Sequence, residues 1–144
     1  MDEADRELLR SLLRRPLLSL AVTVDGAPCA GLAPFLHHGD GLLVHVSGLA
    51  RHTAGLGDGA PFSAVIHLPD APDPLAVPRV MLEGHASAAP GEWASRWVAA
   101  FPSAAQTVGL ADFRFVRLNV ERARLVAGFG RAMGLAPRIL RELG

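Results

Sequence analysis

The chain has no lysine and a single cysteine, Cys29, among its 144 residues. One thiol closes no internal disulfide and gives a zinc ion no cysteine pair, which fits a reducing compartment. No apolar run approaches membrane-spanning length. The opening MDEADRELLRSLLRR starts acidic and mixes charge with leucine pairs. It lacks the basic start and unbroken apolar stretch of a secretion signal. An excess of one charge is missing too: 14 acids balance 14 arginines, so no net field favours nucleic acid or an anionic membrane. The aromatics do not interleave with the arginines, which argues against a stacking platform for bases. These absences lead us to expect one cytoplasmic domain with neither nucleic-acid nor membrane partners. The missing lysines, set against abundant Ala, Gly, Arg and Pro, read as the bias of a GC-rich bacterial genome.

Familiar catalytic patterns are also lacking. The six histidines form no HxH, HxxxH or HExxH spacing, and no carboxylate accompanies them at ligand distance along the chain, so no metal site is expected. His37 and His38 fall in a turn. There is no GxSxG elbow. Asp70 and Asp73 flank prolines and read as turn formers, and Cys29 reads as a small apolar residue. No general acid, base or nucleophile stands out.

What is present is patterned. Leu8, Leu9, Leu12 and Leu13 recur at helical spacing, with acids first and Arg14 and Arg15 last, and Pro16 ends the run. An amphipathic helix over 1–15 is expected. LLSLAVTV and APCAGLAPF flank Asp25-Gly26, a strong hairpin signal. GLLVHV, PFSAVIHL and 79–87 predict three further strands. GEWASRWVAAF predicts a helix, and SAAQTVGL another turn of one. DFRFVRLNV and ARLVAGF predict two strands joined by a tight turn at Glu121-Arg122. LAPRILRELG predicts a last helix, placed at 133–143. The single domain, 1–144, is therefore mainly β with flanking helices: an antiparallel split β-barrel over 17–127, with about six or seven strands. Alternation places Val80, Leu82, Gly84 and Ala86 on one face of the fifth strand and Arg79, Met81, Glu83 and His85 on the other.

SGLARHTAGL, between the third and fourth strands, carries the one local hint of a ligand. A short helix is expected there, with Ser47 as its cap. The first turn of a helix favours acids, yet here it holds Arg51 and His52. A phosphate opposite Ser47, Arg51, His52 and Thr53 would account for this, and so would a solvated helix face.

DGAPCAGLAPF, SGLARHT, DPLAVPRVMLEG, DFRFVRL and RLVAGFGRA, in that order, resemble the split-barrel flavoproteins related to pyridoxamine 5′-phosphate oxidase. Within them the chain is most similar to the haem-utilisation branch, over 17–131. The resemblance implies a homodimer with two ligand sites at the subunit interface. It implies FMN along the second strand at Gly31, Leu32, Ala33 and Pro34, then Val46 and Ser47, with the phosphate at Arg51, His52 and Thr53. It departs from the family where Gly31 replaces a phosphate-binding Arg, and where Ala54 and Gly55 replace Arg and Asn. The oxidases' vitamin B6 substrate residues have no counterpart, so that reaction is not expected. The haem-utilisation branch implies haem as the rival cofactor, with an axial ligand from His45, His52, His67 or His85 and Arg79 as distal donor. Three readings follow: an FMN-binding protein, acting as a flavin-dependent oxidoreductase if it is an enzyme; a haem-binding or haem-degrading protein; and a ligand-free dimeric scaffold or sensor.

Overall fold

Asp25 and Gly26 both take positive φ, 52° and 77°. That is the two-residue turn whose twist matches that of the flanking strands. It joins β1 (Leu17–Val24) to β2 (Ala27–His38), which pair residue for residue from Leu17–Pro34 to Val24–Ala27. The structure is a computed structural model and describes residues 1–143. Gly144, the end of the expected domain, lies outside the described residues.

The remaining elements are α1 (Glu3–Leu13), β3 (Gly41–Ser47), β4 (Pro61–His67), β5 (Arg79–Ala88), α2 (Ala94–Ala100), β6 (Phe113–Val126), β7 (Ala132–Leu135) and α3 (Arg138–Glu142). The strands run in the order β3-β2-β1-β4-β5-β6-β7, all antiparallel, and a further β3–β6 pairing closes six of them into a barrel. β7 is the extra strand. It pairs with the far half of β6, beyond the part that β3 uses. The barrel is split because β2 pairs with β3 only over Phe35–His38, while β3 continues on β6 to Ser47.

β1 shows why this chain closes. Leu18, Leu20, Val22 and Val24 point inward and are buried, and the residues between them are exposed. The inward faces of β4, β5 and β6 supply Phe62, Ile66, Val80, Leu82, Val116, Leu118 and Leu125. Each such side chain contributes about 1.5–3 kcal/mol by leaving water. Asp2 caps α1, its Oδ1 accepting from the Asp5 N–H at 2.8 Å, and Leu9, Leu12 and Leu13 pack into this core. Buried Asp5 accepts from Arg131 at 3.0 Å, which ties the helix to the β6–β7 turn.

Several sequence expectations are corrected. Glu121-Arg122 is no turn: β6 runs unbroken for 14 residues. Opposite it, Glu83 pairs with Arg122 and Gly84 with Val120, so Glu121 is the extra residue of a bulge. Two adjacent polar residues interrupt an alternating pattern in a bulge just as they do in a turn. ARLVAGF does not stay extended to Phe129, because the strand ends at Val126, and β7 was not expected. The last helix is shorter than 133–143, since Pro137 starts it and β7 occupies 132–135. His37 and His38 end β2 instead of lying in the turn. SGLARHTAGL makes only a tight 3₁₀ turn at Arg51–Gly55, with Ala50 at the cap position. Ser47 Oγ instead accepts from the Leu49 N–H at 3.1 Å.

A second, smaller core lies on the outer side of β3 and β6. There α2 lays Trp97 over Leu43, Phe115 and the ring of His45.

Candidate functional site

The strand-to-turn segment braces itself. Thr53 is buried and its hydroxyl donates to the Ser47 carbonyl at 2.5 Å. His52 lies over Gly31, where any Cβ would overlap its ring. At Gly55 a Cβ would lie 2.6 Å from Val22 Cγ2 and 2.8 Å from the Thr23 carbonyl oxygen. The two glycines that replace polar family residues therefore let this turn seat directly on β1 and β2, alongside the split. Ala33 and Val46 point into the core, while Leu32 is 62% exposed on the outer face. Arg51 alone of the expected phosphate ligands is exposed and uncommitted. With Arg114 it borders a shallow depression of about 470 Å³ that also holds Asp25, Gly48 and Thr53. Arg114, which sequence reasoning missed, reaches the Thr53 and Leu56 carbonyls at 3.4 Å.

The histidines named as axial candidates separate sharply. His45 stacks on Phe113 at 5.1 Å and packs on Phe115 and Trp97, and its buried Nε2 has no partner among the described residues. Burial lowers its pKa, so the folded state holds the imidazole neutral. Stability is then highest above the unfolded value near 6.5 and falls as the pH drops below it, because the unfolded chain takes up the proton first. His38 and His52 are shifted the same way. We expect the urea midpoint to fall between pH 7.5 and 5.5, and His45→Phe to flatten that fall in part. An unchanged slope would show that His45 takes no share in it.

His67 and His85 stand on the outer face of the sheet. His67 Nδ1 donates to the Leu68 carbonyl at 2.6 Å, and its cross-strand neighbour Arg79 donates to the Val77 carbonyl at 2.9 Å. His85 Nδ1 lies 2.7 Å from Glu121 Oε1, and Arg122 holds Glu83 through Nε at 3.0 Å and Nη2 at 2.7 Å. The bulge builds this quartet, turning Glu121 and Arg122 outward together. Beside it is a groove of about 430 Å³, lined by Ala21, Pro28, Pro61, Ser63, His85 and Arg122. Glu121 and Arg122 were missed as site residues. The usable signal was that Glu-Arg carries none of the Gly, Pro, Asn or Asp of a turn, although the residues on both sides alternate as a strand.

No protein-family model and no curated protein matches the chain. Solved structures do. A haem-binding protein from Mycobacterium smegmatis is 29% identical and superposes with a TM-score of 0.84, over 99% of this chain and 62% of its own. HutZ, the haem storage protein from Vibrio cholerae, is 25% identical at a TM-score of 0.70, over 83% of this chain and 89% of its own. The chain resembles the split-barrel proteins related to pyridoxamine 5′-phosphate oxidase, and these two haem proteins share that fold. A split-barrel FAD- and haem-binding protein from Mycobacterium smegmatis, 19% identical at a TM-score of 0.63 over 94% of this chain and 82% of its own, shares the fold. This split barrel spans about three fifths of the length of the first of these relatives. None of its described helices is long and apolar enough to cross a membrane.

Proposed function

We propose that this split barrel binds haem on the outer face of its β2-β1-β4-β5 sheet, where a second copy covers the ligand, and that it serves haem utilisation. The reading is carried by its likeness to two haem proteins, at 29% and 25% identity, over most of its length. The residues of the face suit the group. Haem requires an axial donor and apolar surroundings. The outer face presents two histidines, each with one ring nitrogen held and the other available, among Leu17, Leu32, Val65 and Met81. Leu32 and Leu17, 62% and 44% exposed on neighbouring strands, supply apolar surface for a partner copy. Bound haem would supply iron chemistry. The chain's own part is to ligate the iron, hold the carboxylates and exclude water.

A second reading keeps FMN, favoured by the uncommitted Arg51 beside Arg114 at the depression where the phosphate would sit. Ser47 and Thr53 count against it, because both are engaged within the chain. In that reading a bound flavin would supply redox chemistry, and no residue is assigned as acid or base.

The test is parallel titration with haemin and with FMN, alongside light scattering. The haem reading expects a saturable Soret band at one haem per chain, on a dimer. Quenched and saturating flavin fluorescence without a Soret band would replace it with the FMN reading. Binding of neither would leave a ligand-free scaffold.

A further inference from the structure

We propose that the groove between the ends of α1, β2 and α2 binds a small carboxylate with an apolar body. The groove holds about 450 Å³, within the range of small-molecule sites. Its apolar lining comes from both cores: Leu13, Phe35 and Leu143 from the barrel, Leu36 and Phe101 from the cluster under α2. Arg10, Arg14, Arg15 and His37 also line it, and no acid does. In a chain whose acids and bases balance, that is a local excess of one sign. The grooves beside the bulge differ, holding Glu83 and Glu121, and the depression at Arg51 holds Asp25.

Two of these cations are already engaged. Arg10 pairs with Glu3 at 3.3 Å and with Glu7, and His37 Nε2 donates to the Gly39 carbonyl at 2.8 Å. Arg14 and Arg15 make only backbone bonds: their N–H groups donate to the Arg10 and Leu12 carbonyls, both at 3.1 Å. Their guanidiniums have no partner among the described residues. Those backbone bonds cap carbonyls at the helix end, so the side chains are not needed there. The helix dipole favours cations anywhere round this last turn, but it does not call for an apolar wall beside them. Pro16 keeps Arg15 from continuing the helix. The Phe35 N–H, donating to the Pro16 carbonyl at 3.1 Å, pins this corner to β2. The corner thus sets two uncommitted guanidiniums at the rim of an apolar groove.

A carboxylate would accept charge-assisted hydrogen bonds from Arg14 and Arg15, while its body covered Leu13, Leu36 and Phe101. Neither half suffices alone, because exposed cations hold a bare ion only weakly in water. The ligand would also act on the fold. Phe101 packs on Trp97 at 4.7 Å, and its N–H donates to the Trp97 carbonyl at 2.8 Å. A body lodged between Phe101 and Leu13 links α2 to α1 and steadies the 91–106 segment.

The experiment is calorimetric titration of the full chain with octanoate and with phenylacetate. Octanol and phenylethanol test the body without the charge, and acetate tests the charge without the body. One carboxylate per chain is expected, with the alcohols and acetate at least about tenfold weaker, the factor that one charge-assisted hydrogen bond supplies. Arg14→Gln and Arg15→Gln should each weaken both acids by about tenfold, with circular dichroism confirming the fold. Arg138→Gln removes an exposed charge outside the groove and should match the wild type. The amides of α2 should exchange more slowly with octanoate bound. Equal binding of the alcohols, wild-type affinity in both groove variants, or no saturable binding of either acid would each overturn the assignment. None of these outcomes bears on the haem reading, which the haemin titration tests separately.

Discussion

Trp97→Ala is expected to cost about 3–5 kcal/mol, the range for removing a fully buried large aromatic. Trp97 is 2% exposed, and its ring contacts Phe101, Phe115 and His45 at centroid distances of 4.7, 5.7 and 5.8 Å. The effect is large because of how little else holds α2. The helix has seven residues, no side-chain cap and one buried residue, Trp97 itself. A helix this short is not stable alone in water and exists because of what it packs against. Removing the ring therefore costs the docking of the whole 91–106 segment as well as a cavity. Hydrogen exchange distinguishes the two. We expect the amides of α2 to lose protection first, with β1, β4 and β5 keeping theirs, because Trp97 belongs to a cluster separate from the barrel core. An unfolding free energy within about 0.5 kcal/mol of wild type, the scatter of ordinary surface changes, would show that α2 is not anchored this way.

The barrel was legible because its strands alternate. LLSLAVTV needs only period-two burial and the Asp25-Gly26 turn to specify a hairpin, and both occur as read. What was not legible depends on contacts between residues distant in sequence. Gly31 and Gly55 looked like lost polar contacts when compared with related chains, yet each makes room for a neighbour, His52 or Val22. The helix expected at SGLARHTAGL failed on length, because the segment closes one side of the split within a few residues and folds as a 3₁₀ turn. Of the four axial candidates, His85 alone gains a carboxylate, through a bulge that brings together residues 36 apart. Nothing local to His85 announces that partner.

Gly84→Val is expected to be as severe as Trp97→Ala. A Cβ at Gly84 would overlap the Asn119 carbonyl oxygen and lie 2.9 Å from its carbon. Both atoms are backbone, fixed by ladders to β3 and β5, so no side chain can swing aside. Overpacking usually costs about 1–3 kcal/mol where side chains relax, so a rigid backbone neighbour puts Gly84→Val at or beyond the top of that range. Even Gly84→Ala should be costly, since the clash begins at Cβ. Gly134→Ala in β7 is the control: its Cβ meets nothing within 4 Å, and a change within about 0.5 kcal/mol is expected. If β5 escapes the clash by slipping, the bulge is lost and Glu121 no longer faces His85. Near-wild-type stability in Gly84→Ala would mean that the strands are not so close at this point.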